Sequence, residues 1–290
     1  MSPAHAADAH AAAPEDFEAT RRLYDEAMAD NVSIHDLVYP AVFGPDEYVG
    51  QFSDNSAGEL GVLGTAMALP PGARVLDVGC GRGAVAAFLA ERFGWRVTGI
   101  DLAGVPIADA ERRRRTLPPA LAERLVFVAG NAYEHAFDPP FDGIYGTGAF
   151  CHFEAARLFA RCAALLRPGG RLGFMERVRI GPIAPDDWQR LTVDWRCPSV
   201  YATGEYERAL AGAGFRDVSV TDMTATFRTW QARSVSVREE LAEAIIARTS
   251  DAYHRTALAH ARYEADVTRA GGLGYALVVA TRGDDAGAAP

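Results

Sequence analysis

The chain has 290 residues, of which 49% are hydrophobic, and its formal net charge at pH 7 is −9. This length fits one large α/β domain with helical additions, and no stretch approaches the roughly 18 apolar residues that a membrane span requires. The negative charge opposes a surface that follows nucleic-acid phosphates, so we expect neither a membrane nor a nucleic acid as a partner.

The first 19 residues lack both the basic start and the strongly apolar centre of a secretory signal. We therefore expect residues 1–14 to be a disordered lead-in. The four cysteines form no close pair in the sequence of the kind that zinc sites use, and they imply no disulfide framework. These features predict a cytoplasmic protein with reduced thiols and without a metal site, and they leave the oligomeric state open.

A helix and a loop are predicted for residues 15–70, which we interpret as a lid. Phe17, Tyr24 and Met28 lie on one helical stripe. Residues 31–59 are rich in Gly, Asp, Ser and aromatic residues, which favours an ordered but irregular segment.

Residues 71–290 alternate between strand and helix patterns. Five short apolar runs are bounded by turn residues, namely ARVLDVG, RVTGID, LVFVAG, FDGIYG and RLGFMERV. Helical spacing separates them, and VSVTDM and LGYALVVATR supply two more strands. The pattern predicts an α/β, Rossmann-like, doubly wound and mostly parallel seven-stranded sheet with helices on both faces. Within the C-terminal insertion, residues 223–271 between the last two strands, Ser236 and Glu239 form a capping-box signature that predicts a helix start.

The strongest motif is VLDVGCGRG, from Val75 to Gly83. Glycines after a strand let the backbone approach a ligand closely, and the helix that follows offers unpaired N–H groups. The spacing of Gly79, Gly81 and Gly83 differs from the G-x-G-x-x-G of dinucleotide sites, which argues against a nicotinamide oxidoreductase. With Asp77 two residues before the first glycine, the run resembles the first motif of class I S-adenosylmethionine-dependent methyltransferases of the small-molecule type. The resemblance implies that Asp77 and the glycine loop hold the methionyl part of S-adenosyl-L-methionine.

Two further strand ends carry residues that the resemblance places near the cofactor. Asp101 ends the second strand, where a carboxylate can accept hydrogen bonds from both ribose hydroxyls, and Leu102 is implied to pack against adenine. Asn131 and Ala132 are implied near the adenine edge, although Asn131 stands where the family usually has Asp. The alternatives are a helix cap for Asp101 and a plain turn at Asn131.

The segment after the fourth strand should border both cofactor and substrate. Thr147 is predicted to line the cofactor site, and His152 to act as the base that takes a proton from the substrate. The alternative for His152 is a structural role. The tetrad from Asp138 to Phe141 has the letters of a DNA amino-methyltransferase motif, but it precedes the strand that it should follow and is interpreted as a surface turn.

Upstream of the first strand, residues 50–56 resemble the lid segment of small-amine and phosphobase methyltransferases. Gln51 and Ser56 are the candidates there for bonding the cofactor carboxylate, and loop-internal hydrogen bonding is the alternative.

Specificity should come from the lid and from two cap segments, residues 178–202 and 223–271. Their dense large aromatic residues predict a closed, apolar chamber for a small molecule. We therefore expect methyl transfer from S-adenosyl-L-methionine to O, N or C of a small molecule, in specialised metabolism. The alternative is a methyltransferase-fold protein that keeps the cofactor as a structural element and catalyses a cyclisation.

Overall fold

The computed structural model describes residues 16–284, with the backbone alone for residues 27–33. The predicted lead-in at residues 1–14 lies outside the described residues. The strands are β1 (Arg74–Val78), β2 (Arg96–Asp101), β3 (Leu125–Ala129), β4 (Phe141–Thr147), β5 (Leu166–Arg179), β6 (Phe215–Asp222) and β7 (Leu273–Arg282). The helices are α1 (Phe17–Phe43), α2 (Ala57–Met67), α3 (Ala84–Phe93), α4 (Gly104–Arg114), α5 (Pro119–Ala122), α6 (Ala155–Leu165), α7 (Pro185–Gln189), α8 (Thr203–Gly212), α9 (Thr224–Glu240), α10 (Ala242–Arg248) and α11 (Asp251–Arg269). A 3₁₀ turn (Phe150–His152) follows β4, and a π turn (Arg190–Asp194) follows α7.

The seven strands form one sheet in the order β3-β2-β1-β4-β5-β7-β6. β1 to β5 pair in parallel, whereas β7 is antiparallel to both β5 and β6. The predicted mostly parallel, doubly wound sheet is thereby confirmed. The strand order reverses between β1 and β4, and ligands of open α/β sheets bind at such a reversal, beyond the carboxyl ends of the strands.

Helices cover both faces of the sheet and bury one apolar cluster on each. On one face α2 and α3 contribute Leu60, Leu63 and Leu89, and on the other α6 and α8 contribute Phe159 and Leu210. Burying one such side chain fully is worth about 1.5–3 kcal/mol. The clusters therefore hold the strand ends, and the loops that follow them, in a fixed arrangement.

Helix α1 is longer than the sequence indicated. After a cap at Asp16, the helix continues through residues 31–43, where an irregular segment was expected; that expectation is wrong. The signal was present in the sequence, because Ile34, Val38 and Val42 recur every four residues and are all buried. This is the spacing of one helix face.

The predicted helix start at Ser236 and Glu239 is also wrong, because both residues lie inside α9. The helix begins at Thr224, whose N–H donates to the Asp222 carboxylate (2.8 Å). The Ser236 hydroxyl instead donates to the carbonyl of Ala232 one turn earlier (3.3 Å), a bond that serine commonly forms in a helix interior.

Helix α9 joins the N-terminal and C-terminal additions into one cover. It packs against α1, α11 and β7, and Trp230 of α9 contacts Phe43 of α1 edge to face. The two additions therefore meet above the sheet. Within residues 16–284, no helix combines the length and the apolar character that crossing a membrane requires.

Candidate active site

A cavity of about 730 Å³ lies at the carboxyl ends of β1 to β4. One half of its wall consists of the loops that follow these strands, together with residues 50–54; we call it the floor. The other half consists of Arg177, residues 194, 195 and 197, and parts of α9 and α11; we call it the cap side. Helix α1 borders both halves through Tyr24 and its neighbours.

The glycine loop after β1 forms part of the floor. Gly79 and Gly81 line the cavity and have positive φ angles of 76° and 50°, which residues with a side chain rarely adopt. A Cβ at Gly79 would lie 2.4 Å from the Cβ of Ala149. Gly83 does not line the cavity, which differs from its predicted part in the cofactor loop. A Cβ there would collide with Phe127, so Gly83 permits close packing of α3 on the sheet.

Asp101 ties the first two strand ends together. Its carboxylate accepts hydrogen bonds from the N–H groups of Gly81 and Ala103, both at 2.9 Å. Burial raises the pKa of Asp101, and these two backbone hydrogen bonds oppose the shift. The bond to Ala103 resembles the alternative capping role, but the carboxylate also borders the cavity. A carboxylate has about four acceptor positions, so acceptor capacity remains for a ligand.

Asp77 is buried beneath the same loop. Its carboxylate accepts a hydrogen bond from the Tyr145 hydroxyl at 2.8 Å. Burial raises the pKa of Asp77 to about 7, against the effect of the Tyr145 hydrogen bond and with a further contribution from Asp101. Asp77 therefore changes charge near neutral pH, where a cationic ligand would favour its ionised form.

The other predicted cofactor residues border the cavity as expected. Leu102, Asn131, Ala132 and Thr147 all line the floor. The side-chain oxygen of Asn131 accepts the N–H of Tyr133 at 3.0 Å, which orders the turn and leaves its NH₂ group to donate. Their contacts with a cofactor stay a prediction.

Gln51 and Ser56 are engaged inside their own segment. The Gln51 side chain is buried and bonds Val49 N–H (2.7 Å) and the Asn55 carbonyl (2.7 Å). The Ser56 hydroxyl caps α2 by accepting from Glu59 N–H (3.3 Å), and Ser56 does not line the cavity. Both side chains therefore make the loop-internal bonds of the alternative. Gln51 also lines the cavity, and a contact of either residue with the cofactor stays a prediction.

His152 faces the cavity as half of a pair. Its Nε2 lies 2.6 Å from the Tyr24 hydroxyl, and its Nδ1 lies 2.8 Å from the Arg196 carbonyl. A carbonyl only accepts, so Nδ1 carries a proton and the neutral ring would offer Nε2 as an acceptor to Tyr24. Burial lowers the pKa of His152, but the Cys151 sulfur, the Arg196 carbonyl and Glu176 outweigh it and raise the pKa to about 9. The sequence placed Tyr24 among the lid aromatics and did not indicate this partnership across 128 positions.

Two cysteines that are distant in sequence meet beside this pair. The sulfurs of Cys151 and Cys197 and a ring nitrogen of His152 lie within 4.8 Å of one another, close enough to hold a metal ion. The Cys197 sulfur is 3.8 Å from Nδ1, but Nδ1 already donates to Arg196. Metal binding would therefore have to displace that bond, and the expectation of no metal stays a prediction.

A buried charge cluster stands on the cap side. The guanidinium of Arg177 bonds the carboxylate of Asp54 at 2.7 Å and also that of Glu264. Burial disfavours the charged form of Arg177, but Glu264 and Asp54 reverse the effect and raise its pKa. The cluster joins residue 54 of the lid, β5 and α11, and thereby positions the cap over the sheet.

Comparisons with known proteins agree with this geometry. Residues 75–170 match the family model described as a methyltransferase domain. The chain is 33% identical over 162 residues to phosphoethanolamine N-methyltransferase 1 of Arabidopsis thaliana, covering 56% of this chain and 32% of that protein. It is 30% identical over 173 residues to the S-adenosyl-L-methionine-dependent Diels-Alderase iccD of Talaromyces variabilis, covering 54% and 58%. The chain thus spans about a third and about three fifths of the lengths of these relatives.

Comparison with solved structures also gives a methyltransferase fold. The structure of Haemonchus contortus phosphoethanolamine N-methyltransferase 2 in complex with S-adenosyl-L-methionine superposes with a TM-score of 0.76 at 20% identity, over 93% of this chain and 61% of that one. The strand order, the glycine loop and the matched domain lead to one conclusion. Residues 75–170 are a methyltransferase domain, and the chain has the class I S-adenosylmethionine-dependent methyltransferase fold that the sequence predicted.

Proposed function

We propose that this chain catalyses methyl transfer from S-adenosyl-L-methionine to O, N or C of a small molecule of specialised metabolism. The observation that carries the proposal is that one cavity brings the glycine loop and Asp101 together with the Tyr24–His152 pair. The similarity to a plant phosphoethanolamine N-methyltransferase supports it. We propose that the reaction takes place in the cytoplasm; the four free cysteines support this, because a reducing compartment keeps thiols reduced.

The residues of the floor match the chemical groups of the cofactor. A carboxylate at the end of β2 suits the two ribose hydroxyls, and Leu102, Asn131 and Ala132 suit an adenine ring. Asp77 and the backbone of Gly79 and Gly81 would hold the methionyl part, and a Cβ at Gly79 would obstruct the loop. When bound, the cofactor supplies an electrophilic methyl group on a sulfonium.

The chain's own residues orient the acceptor and handle its proton. Tyr24 and His152 both line the cavity, and the Tyr24 hydroxyl lies 2.6 Å from Nε2, so a nucleophile beside Tyr24 can pass its proton through that hydroxyl to Nε2. The Arg196 carbonyl fixes the ring through Nδ1. Residues 178–202 and 223–271 act as a cap that excludes water, with residues 15–70 as a lid.

The pKa of His152 sets the pH dependence that we expect. A value of about 9 means that the ring is protonated at pH 7 and must lose a proton before it can serve as a base. Below pH 9 the neutral fraction rises about tenfold per pH unit, so the turnover number should rise with pH through about 9 instead of levelling near 6.5. The same raised pKa also affects stability. Protonated His152 stabilises the fold fully below pH 6.5, and this contribution is lost as the pH rises through 9. Turnover measured from pH 6 to 10 checks the expected rise in turnover, and a plateau already reached at pH 7 would contradict it.

Replacing Asp101 with Ala should weaken cofactor binding by tenfold or more. The change removes an acceptor for the ribose hydroxyls and frees the Gly81 N–H that it now holds; charged hydrogen bonds are worth about 1.5–3 kcal/mol each. Calorimetric titration with S-adenosylhomocysteine measures the change. Asp138→Ala is the matched control, because the Asp138 side chain is 94% exposed and should leave affinity unchanged. Equal affinity for Asp101→Ala and the control would limit Asp101 to ordering the loop.

A second candidate function is a cyclisation that keeps the cofactor intact. The similarity to the Diels-Alderase iccD favours it. The cofactor site does not distinguish the two functions, because both would use the same cofactor-binding residues. The test is the fate of a labelled methyl group. Methyl-labelled S-adenosylmethionine is incubated with the protein and extracts that contain candidate acceptors. Label in a product supports methyl transfer, whereas a converted substrate without label supports cyclisation.

A further inference from the structure

The cap side presents an imidazole that has no hydrogen-bond partner among the described residues. His260 of α11 stacks on the indole of Trp195, with ring centroids 3.9 Å apart and planes 11° apart. His260 lines the cavity, and among residues 16–284 nothing bonds its ring nitrogens. The stack covers one face of the ring and fixes its plane, which leaves the nitrogen-bearing edge available to a ligand.

This imidazole is neutral at physiological pH. Burial, together with the nearby Arg177 and Arg238, lowers the pKa of His260 to about 4. A neutral imidazole offers one N–H donor and one acceptor nitrogen. A hydroxyl group, which both donates and accepts, is the matching partner.

The charges around His260 do not suit an anionic ligand. Arg177 is already held by Asp54 and Glu264, so neither the guanidinium nor the two carboxylates are available to pair with a phosphate or an ammonium group. The guanidinium of Arg238 bonds Ser234, and a further carboxylate, Asp194, also lines the cavity. The cap side therefore has no excess positive charge with which to hold a phosphate dianion.

The segment from Trp195 to Cys197 links this anchor to the proton-accepting pair. Trp195 supports His260, and the next residue, Arg196, holds the ring of His152 through its carbonyl. A hydroxyl beside Tyr24 must lose its proton to become a strong nucleophile. A phenol, with a pKa of about 10 like that of tyrosine, can give its proton to such a pair.

We infer that the acceptor is a neutral hydroxylated aromatic molecule, whose reacting phenol lies at Tyr24 and whose second oxygen is held by His260 on its Trp195 support. The inference rests on the proposed methyl transfer. In the proposed methyl transfer, the acceptor oxygen forms a bond to the methyl carbon, and the sulfur–carbon bond breaks with its electron pair left on sulfur. The phenolic proton passes to His152.

Binding to the full chain saturated with S-adenosylhomocysteine tests the inference. The probes are 2-naphthol, a set of dihydroxynaphthalene isomers that differ in the spacing of their hydroxyls, and phosphoethanolamine, each titrated by calorimetry. His260→Phe keeps a ring to stack on Trp195 and removes both hydrogen-bonding atoms, whereas His260→Gln keeps a donor and an acceptor. Affinity for S-adenosylhomocysteine in both variants reports that the fold and the floor are intact.

We expect at least one diol to bind about three- to tenfold more tightly than 2-naphthol, the range of one neutral hydrogen bond. His260→Phe should abolish this advantage without changing the affinity for 2-naphthol, and His260→Gln should retain part of it. Tighter binding of phosphoethanolamine than of every phenol, no binding of any phenol, or an undiminished diol advantage in His260→Phe would overturn the inference. Failure of the proposed function would be seen separately, as no binding of S-adenosylhomocysteine or no transfer of label.

Discussion

Tyr24→Phe and His152→Ala should each lower the turnover number by roughly 10²–10⁴, with little change in the affinity for S-adenosylhomocysteine. Each variant removes one member of the hydrogen bond between the Tyr24 hydroxyl and Nε2 of His152, and with it the route for the acceptor's proton. Because the two groups act as one unit, the double variant should be little slower than either single variant. Turnover is measured as label transfer per folded molecule to the acceptor that the labelling experiment identifies.

Tyr48→Phe is the matched control for this experiment. The Tyr48 hydroxyl donates to Asp36 at 2.7 Å, and Tyr48 does not line the cavity. Loss of that hydroxyl should leave turnover unchanged. Melting temperature is recorded on the same preparations, since a purely structural His152 would lower stability and leave turnover nearly intact. Full turnover in both Tyr24→Phe and His152→Ala would remove the pair from the mechanism.

Gly79→Ala should reduce cofactor affinity by more than tenfold and destabilise the fold by about 2–5 kcal/mol. The residue has a φ of 76°, which costs a residue with a side chain about 1–2 kcal/mol. The new Cβ would also meet Ala149 at 2.4 Å, and such overpacking costs about 1–3 kcal/mol more. The glycine loop would have to move to avoid Ala149, and this loop is the part of the site that would bind the cofactor.

Gly72→Ala separates backbone strain from collision. Gly72 has a similar φ of 84°, and a Cβ there would meet nothing within 4 Å. It should lose about 1–2 kcal/mol of unfolding free energy, measured in urea, with no change in the affinity for S-adenosylhomocysteine. If the two variants bound the ligand equally well, Gly79 would not belong to the cofactor site.

The floor of the site could be predicted from the sequence because its determinants are local. A glycine run between a strand and a helix, followed by an acidic residue at the end of the next strand, fixes both the conformation and the place of Asp77, Gly79 and Asp101 in a doubly wound sheet. Gly83 shows the limit of such a motif. The same pattern cannot distinguish a glycine that lines the cavity from one that makes room for Phe127.

The rest of the site depends on packing between distant parts of the chain. Tyr24 meets His152, and Asp54 meets Arg177, only because α1 and the cap helices close over the sheet. No spacing rule connects residues 128 and 123 positions apart. Residues 31–43 differ from these pairs, because their helix does follow a local signal, the four-residue spacing of Ile34, Val38 and Val42, which the loop-like composition of residues 31–59 obscures.

Calorimetric titration of the folded wild-type chain with S-adenosylmethionine and with S-adenosylhomocysteine tests cofactor binding without the need for an acceptor. We predict one site per chain with micromolar affinity, on the order of −8 kcal/mol, and competition between the two ligands. Circular dichroism on the same sample establishes that the protein is folded. A folded protein that binds neither ligand would contradict the proposal that the chain is an S-adenosylmethionine-dependent methyltransferase.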